Sequence, residues 1–282
     1  MPGIKVVTDS AQDFAPEFLE RHGISVVPLT VHFGEESFKD GFELRGRDFY
    51  EKLSASKVLP RTSQPSPAMF KEVFERLTED GSSAVAITLS SALSGTYQSA
   101  VMAKDMLPGR NIVVIDSKQA SCGYGMMALR AAEMAASGAT LEAVVGEVNK
   151  MVASTITLFS VDTLDYLAKN GRIGRAQHFL GTVLNMKPIL ALDKEGYVTA
   201  IERVRGKSKV IPRLVELAVE RASSRKVQML AVSHADCPEE AVKLKGELLR
   251  NFQPAQVYES EIGAVIGSHA GPGTIALFIV PE

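Results

Sequence analysis

Residues 83–90 read SAVAITLS and residues 111–117 read NIVVIDS, two runs that are almost continuously apolar. Runs of this kind are typical of parallel strands that are covered by helices on both faces. Residues 4–9 (IKVVTD) and 25–33 (SVVPLTVHF) are two further strand-like stretches, both rich in β-branched residues. Because apolar residues recur at helical spacing between several of these runs, the first half of the chain predicts βαβ units and a mostly parallel, right-handed sheet.

A polar excursion interrupts this alternation between the second and third strands. Residues 33–67 hold many charges and several Gly and Pro residues, and only residues 47–54 or so have an amphipathic helical pattern. Ordered excursions of this length are often functional. We therefore expect a flap or excursion at this point of the fold.

The pattern changes after about residue 160. Residues 188–206 predict two strands around a turn at 193–196. Predicted helices follow at 208–222 and 238–251, and predicted strands at 227–236, 255–263 and 274–281. We predict an α/β protein of two domains: residues 1–162 form an N-terminal parallel-sheet α/β/α (Rossmann-like) domain, and residues 163–282 form a C-terminal mixed-sheet α+β domain with helices on one face.

The composition excludes several classes of protein. Lys and Arg total 31 and Asp and Glu total 33 among 282 residues, so the net charge of −2 offers no basic surface for nucleic acid or an anionic membrane. The apolar runs are far shorter than the roughly 20 residues that span a bilayer, and Lys5 and Asp9 lie too early for a secretory signal. The five histidines lack a ligand spacing such as HExxH, so no metal site is expected. Cys122 and Cys237 are too few for a disulfide scaffold, and we expect reduced thiols in a cytoplasmic protein.

Polar residues follow three of the predicted strands, at 8–10, 88–91 and 116–117. Ligand sites of open α/β sheets lie at the carboxyl ends of the strands, although Ser, Thr and Asp are also common N-caps of helices. We interpret Asp9 and Asp116 as structural caps.

The segment LSSALSGTYQSA (89–100) contains the most specific of these turns. Gly95 permits close approach of the backbone, and Ser94 and Thr96 lie at the predicted first turn of a helix. Unpaired N–H groups and the positive dipole end at such a turn favour a phosphate or a carboxylate. The turn lacks the lysine of a P-loop and the glycine spacing of a dinucleotide fingerprint, so nucleotide binding is unsupported. Capping alone is the alternative interpretation.

Three further segments hold candidate residues. In RTSQPSP (61–67) the prolines stiffen the backbone, and a Ser66 N-cap accounts for Ser66 but leaves Thr62 unexplained. Arg172 stands beside glycines at the predicted end of a helix, which fits either a glycine C-cap with solvated arginines or an exposed cationic loop for a phosphate or an acidic partner. His269 lies among the four glycines of GAVIGSHAGPG (263–273), which imply tight backbone geometry around the imidazole.

Together these motifs resemble the DegV family of bacterial lipid-binding proteins. The resemblance covers the whole chain and rests on IKVVTDS, RTSQPSP, LSSALSGTYQSA, VIDSKQASCGYG, LDYLAKNGRIG, KPIL and IGSHAGPG, in that order. It implies that a long-chain fatty acid such as palmitate binds between two domains, with no cofactor and no catalytic residue in this chain. For several members it also implies a carrier role in a fatty acid kinase system, where a separate ATP-binding subunit phosphorylates the bound acid to an acyl phosphate.

The resemblance also assigns expected roles to single residues. Thr62 and Ser94 would form hydrogen bonds with the carboxylate, and His269 would lie near the same head group. Arg172 would contact the kinase subunit or the acyl phosphate. Many members have two glycines before that arginine, where this chain has Asn170 and Gly171.

Two other functions remain open from the residues alone. One is a serine hydrolase or acyltransferase that uses Ser94, His269 and Asp9, although the GxSxG elbow is absent. The other is a phosphosugar or dihydroxyacetone-type binding module, which the anion-binding turn at Ser94 would serve equally well.

Overall fold

The computed structural model describes residues 3–181 and 185–282, which form an α/β protein with three sheets. The first part of the chain contains β1 (Ile4–Asp9), α1 (Pro16–Arg21), β2 (Ile24–Val27), β3 (Thr30–Phe33), β4 (Glu36–Lys39), α2 (Gly46–Ala55), β5 (Arg61–Ser63), α3 (Pro67–Leu77), β6 (Ser83–Thr88), α4 (Thr96–Asp105), β7 (Ile112–Asp116), α5 (Cys122–Ala136) and α6 (Leu141–Ser154). The second part contains β8 (Ile156–Ser160), α7 (Asp165–Lys169), β9 (Met186–Leu192), β10 (Val198–Arg205), α8 (Val210–Ala222), β11 (Val227–His234), α9 (Pro238–Asn251), β12 (Gln256–Glu261), α10 (Ala264–Ala270) and β13 (Ile275–Pro281). None of the helices in these two ranges is long and apolar enough to cross a membrane.

The first sheet has four parallel strands in the order β2-β1-β6-β7, which confirms the predicted parallel-sheet α/β/α arrangement. Successive side chains point to opposite faces: Val7 and Ala86 pack with α3 and α4, whereas Val6 and Val85 belong to the core that contains α5. The strand order reverses between β1 and β6. The crevice at the carboxyl ends of these two strands is therefore the switch point at which open α/β sheets bind ligands.

The prediction of one strand over residues 25–33 is wrong, because this segment contributes to two sheets. β2 pairs with β1, whereas β3 pairs antiparallel with β4 and β5 in a separate three-stranded sheet. Pro28 stands between β2 and β3 and has no backbone N–H with which to continue a ladder. The polar excursion consists of β4, α2 and β5, and α2 confirms the short amphipathic helix that the sequence predicts.

The large second sheet has six strands in the order β10-β9-β8-β13-β11-β12, and only β11 and β12 are parallel neighbours, which confirms a mixed sheet. Along β13, Leu277 and Ile279 pack against α8 and α9, whereas Ala276 and Phe278 face the core that contains α5. The two predicted helices of this part, α8 and α9, thus pack on one face of the sheet, and α5 from the first part of the chain covers the other face and contacts both large sheets. Ten of its 15 residues are buried, as expected for a helix that is apolar on all sides.

The strand β8 pairs with β13 and β9 in the second sheet, although it precedes the predicted division after residue 162. The hydrogen bonds of these five residues hold them in the second sheet. The division of the chain into two domains at about this point stays a prediction.

Candidate functional site

Thr62 is positioned by β5, a three-residue strand that pairs antiparallel with β3 and places Thr62 opposite Val31. The chain then passes through the two prolines into α3, which Ser66 caps by accepting a hydrogen bond from Met69 N at 3.3 Å. Capping thus accounts for Ser66, as the sequence predicts. Thr62 has a different environment, because its Oγ1 lies 2.8 Å from Nε2 of His269, 207 residues further along the chain.

Ser94 lies in the turn between β6 and α4. Its hydroxyl oxygen is 2.9 Å from Thr96 Oγ1 and accepts a hydrogen bond from Thr96 N at 3.3 Å. The next residue, Gly95, has no Cβ, and a Cβ at this position would clash with the side-chain amide of Gln64. The missing side chain therefore allows the turn that carries Ser94 to approach the turn that follows Thr62.

His269 lies on α10 and is partly buried in the wall of the site. Burial, with a smaller effect of the Arg172 charge, lowers the pKa of His269 to about 4, so the imidazole is neutral near pH 7. Its Nδ1 is buried without a hydrogen-bond partner, and its Nε2 faces Thr62 Oγ1. In the tautomer with hydrogen on Nε2, the ring donates to Thr62 and leaves the hydroxyl hydrogen of Thr62 free for another acceptor.

Arg172 belongs to the same wall. Its Nε donates to Leu93 O at 3.1 Å and its Nη1 donates to Asn170 O at 2.8 Å, and the residue is half-buried. The expectation of an exposed cationic loop is therefore wrong for Arg172, since the guanidinium is held between α7 and the turn of Ser94. Asn170 supports this arrangement, because its Nδ2 donates to Ser268 O at 2.8 Å and so joins the loop to α10.

Thr62, Ser94, Arg172 and His269 line one cavity between the carboxyl edge of the first sheet and the face of the second. The space between the lining residues, including the part open to solvent, is about 790 Å³. Most of its lining is apolar and includes Leu93, Phe159, Leu167, Ile266 and Phe278. Among the described residues of this lining, Arg172 alone carries a charge at neutral pH. The cavity thus offers an apolar space with one cationic, hydroxyl-rich end.

Three polar residues of the lining are not among the predicted site residues, namely Ser121, Thr157 and Thr274. Each is hydrogen bonded within the protein: Ser121 to Ser233 at 3.4 Å, Thr157 to Gln119 at 2.5 Å, and Thr274 to the end of α10. Ser121 also has a φ of +53°, which serine rarely adopts. No local pattern distinguishes such residues from ordinary caps and strand hydroxyls.

Asp9 serves as a structural cap, as the sequence predicts. It is the N-cap of the short helix that follows β1 and accepts hydrogen bonds from Ala11 N, Leu89 N and the Tyr124 hydroxyl. Burial raises its pKa to about 6. Within residues 3–181 and 185–282, no hydrogen bond joins Ser94 to His269 or His269 to Asp9, so the three residues do not form a nucleophile–base relay.

The fold and the cavity define a class of α/β proteins with an apolar cavity between two sheets. Similarity to known proteins identifies the family within that class. The family described as "Uncharacterised protein, DegV family" matches residues 3–282. A DegV domain-containing protein of Caldanaerobacter subterraneus is 37% identical over 278 residues, which cover 99% of each chain. The chain therefore belongs to the DegV family.

Two solved structures are similar over nearly the full length. A DegV family protein from Thermus thermophilus, described by its fatty acid binding, superposes with a TM-score of 0.93 at 37% identity and covers 99% of this chain and 100% of that one. DegV of Bacillus subtilis, described as a fatty acid binding protein, superposes with a TM-score of 0.89 at 36% identity and covers 100% of both chains. DegV structures of this fold thus bind fatty acids.

Proposed function

We propose that this protein binds a long-chain fatty acid in the apolar cavity, with the carboxylate at Thr62, Ser94, His269 and Arg172. One observation carries the proposal: these four residues, which come from four separate segments, line the same cavity. The rest of the wall is largely apolar and suits an acyl chain. The fatty acid binding of the related structures supports the same assignment.

The energetics of the cavity fit an acyl chain. Burying one methylene is worth about 0.8 kcal/mol, so a tail of about fifteen contributes roughly 12 kcal/mol before the costs of binding. The carboxylate loses its hydration on entry and needs charge-assisted hydrogen bonds to offset that loss. Affinity would therefore come from the apolar wall, and orientation from the hydroxyl groups and the guanidinium.

Thr62, Ser94 and Arg172 would have complementary roles at the head group. His269 Nε2–H would hold Thr62 Oγ1, so that the Thr62 hydroxyl donates to one carboxylate oxygen. The Ser94 hydroxyl would donate to the carboxylate in place of its contact with Thr96 Oγ1. No acidic side chain among the described residues pairs with Arg172, and its charge would compensate that of the carboxylate.

We further propose that the protein presents the bound carboxylate to a separate ATP-binding kinase subunit in the cytoplasm. In that reaction a carboxylate oxygen would attack the γ-phosphorus of ATP, the bond to the β-phosphate oxygen would break, and acyl phosphate and ADP would form. This chain would act as the non-catalytic carrier. The position of Arg172 beside Ser94 supports a role at the head group, where the acyl phosphate would form.

Nothing in the site favours the two alternative functions. A serine hydrolase needs a base within hydrogen-bond reach of its nucleophile, whereas His269 contacts Thr62 and Ser94 contacts Thr96. A phosphosugar module needs a polar cavity, whereas this lining is largely apolar.

Native mass spectrometry after gentle purification tests fatty acid binding directly. We expect the mass of the protein plus one fatty acid, and displacement of that lipid by added palmitate or oleate but not by dihydroxyacetone phosphate. Absence of lipid together with no binding of either acid would refute the proposal. The carrier role has its own test: incubation of the palmitate complex with ATP and a fatty acid kinase subunit should yield palmitoyl phosphate, and its absence would refute that role alone.

A further inference from the structure

A second cavity opens beside the segment that leads into α10. It lies between the residues that follow β1, the loop at 40–46 and the strand β12, and it encloses about 1360 Å³ including its mouth. It shares no lining residue with the proposed fatty acid cavity. The function proposed above therefore does not account for it.

The lining of the second cavity is strongly acidic. It contains the carboxyl groups of Asp13, Glu17, Asp40, Glu259 and Glu261, and Arg45 as a basic residue. Glu17 pairs with Arg45 at 2.9 Å, and Glu259 pairs with Lys245 from outside the lining. Asp13, Asp40 and Glu261 have no cationic partner among residues 3–181 and 185–282, and burial raises the pKa of each of them, so these carboxyl groups bind protons more readily than exposed ones.

Two carboxyl oxygens in this cavity lack any partner. Asp40 is 1% exposed, and its Oδ1 accepts a hydrogen bond from Val265 N at 3.2 Å, while its Oδ2 has no hydrogen-bond partner. Asp13 has the same arrangement, with Oδ1 accepting from Gly263 N at 2.9 Å and Oδ2 buried without a partner. Unpaired buried carboxyl oxygens are costly, so a donor is expected at these positions.

The cavity also has an aromatic wall. Phe14, Phe18 and Tyr258 lie with ring centroids 5.4 to 6.4 Å apart and line the same space. Aromatic faces attract organic cations, whose apolar parts they also cover. In the described part of the chain, no group of three His, Cys, Asp or Glu side chains has the geometry to hold a metal ion. The combination of acidic and aromatic groups thus favours an organic cation.

We propose that this second cavity binds a small organic cation, an ammonium or guanidinium group that donates to Asp13, Asp40 and Glu261 and packs against Phe14, Phe18 and Tyr258. A positive charge beside these carboxyl groups would stabilise their ionised forms, and its N–H donors would supply partners for the two unpaired oxygens. Glycines at positions 41, 46 and 263 line the cavity and leave its walls free of side chains there.

Calorimetric titration with putrescine and agmatine tests this site, with 1,4-butanediol as the uncharged control. Asp40→Asn and Glu261→Gln should each weaken binding at least about tenfold, the effect expected when a charge-assisted hydrogen bond is lost. Glu79→Gln is the matched control, because it removes the same charge from an exposed residue outside the cavity and should leave binding unchanged. Glu261→Gln keeps the test valid should Asp40→Asn fail to fold.

A second arm identifies the source of the cation. Agmatine represents a free guanidinium compound, and a capped Gly-Arg-Gly tripeptide represents an arginine side chain of another protein. Binding of either that depends on Asp40 and Glu261 supports the site and assigns its source. The proposal is overturned if neither binds, if butanediol binds as well as putrescine, or if the Glu79 variant loses as much affinity as the cavity variants. Palmitate binding measured on the same Glu261→Gln sample should be unchanged, which separates this site from the proposed fatty acid cavity.

Discussion

The two cavities lie on either side of one short segment, residues 262–270. They differ in the kind of polar group that lines them. The first contains a neutral imidazole, hydroxyl groups and a single cation, Arg172, in an otherwise apolar wall. The second contains several carboxyl groups and aromatic rings. If both proposals hold, one helix and the turn before it border two sites, one for a carboxylate beside Arg172 and one for a cation beside Asp40 and Glu261.

Reversal of the one charge in the first cavity should have the largest effect. Arg172→Glu places a carboxylate where the head group of the fatty acid would lie, and we expect palmitate affinity to fall by about 100-fold or more. Displacement of a fluorescent fatty acid measures the change. Arg172→Lys is the control and should retain part of the affinity, because it keeps the charge but not the planar donor geometry. Unchanged affinity in the Glu variant would place the carboxylate elsewhere.

Removal of a neutral donor in the same cavity should have a smaller effect. Ser94→Ala should weaken palmitate binding by about 1–3 kcal/mol, since the charged acceptor then lacks one hydrogen bond. Ser91→Ala is the matched control in the same turn, because Ser91 is exposed and does not line the cavity. Equal effects of the two variants on affinity would show that the turn, and not the Ser94 hydroxyl, matters for binding.

In the second cavity the expected effect is on stability and depends on pH. Burial raises the pKa of Asp40 from 3.8 to about 7, so the folded protein holds this proton more tightly than the unfolded chain. The free energy of unfolding should therefore fall as pH rises from about 4 to about 7, by roughly 4 kcal/mol at most from this residue. Asp40→Asn removes the titrating group but keeps an oxygen that can accept from Val265 N.

Urea unfolding at about pH 5 and about pH 8 measures this difference. We expect the Asn variant to gain more stability, relative to the native chain, at the higher pH. Asp9 has a raised pKa of about 6 and should leave part of the pH dependence in place. An Asn variant that is equally stabilised or destabilised at both pH values would show that Asp40 does not titrate in this range.

The smallest effect is expected in the reactivity of the two thiol groups, one of which, Cys122, lies between the two cavities. Cys122 begins α5 and contacts Ser233 and Ser260, the latter a lining residue of the second cavity. Burial raises the pKa of Cys122 to about 12 and that of Cys237 to about 11, so neither thiol should react with Ellman's reagent at about pH 8 in the folded protein. Both should react in denaturant. A reactive thiol in the folded protein would show that the interior beside α5 opens to solvent.

The sequence predicts much of the fold because the patterns that indicate strands and helices extend over only a few neighbouring residues. Continuous apolar runs identify the parallel strands, and the change of pattern after about residue 160 identifies the mixed sheet. The sequence does not predict the division into two strands at Pro28, because the β-branched pattern continues on both sides of it. Only the pairing partners distinguish β2 from β3. The place of α5 between the sheets also depends on partners, since an apolar helix does not specify what covers it.

The candidate site residues could be predicted for a similar reason. Thr62, Ser94 and His269 stand in segments rich in Gly or Pro, and such segments are visible along the chain. The glycines beside Arg172 also indicate a candidate residue. They do not predict that its side chain is half-buried, because its hydrogen bond to Leu93 O joins segments 79 residues apart. The burial of Asp40 is not predictable from the sequence, since a carboxyl group within a polar excursion normally faces water.

The chain by itself determined the kinds of strand and helix, the chemistry of each turn and the family to which the protein belongs. Only the tertiary structure decided which turns meet: it brought Thr62 to within 2.8 Å of His269 Nε2 and buried Asp40 beside the start of α10. The physical reason is that hydrophobic period and turn chemistry act over a few residues, whereas burial and hydrogen bonding of a polar group depend on atoms hundreds of residues away.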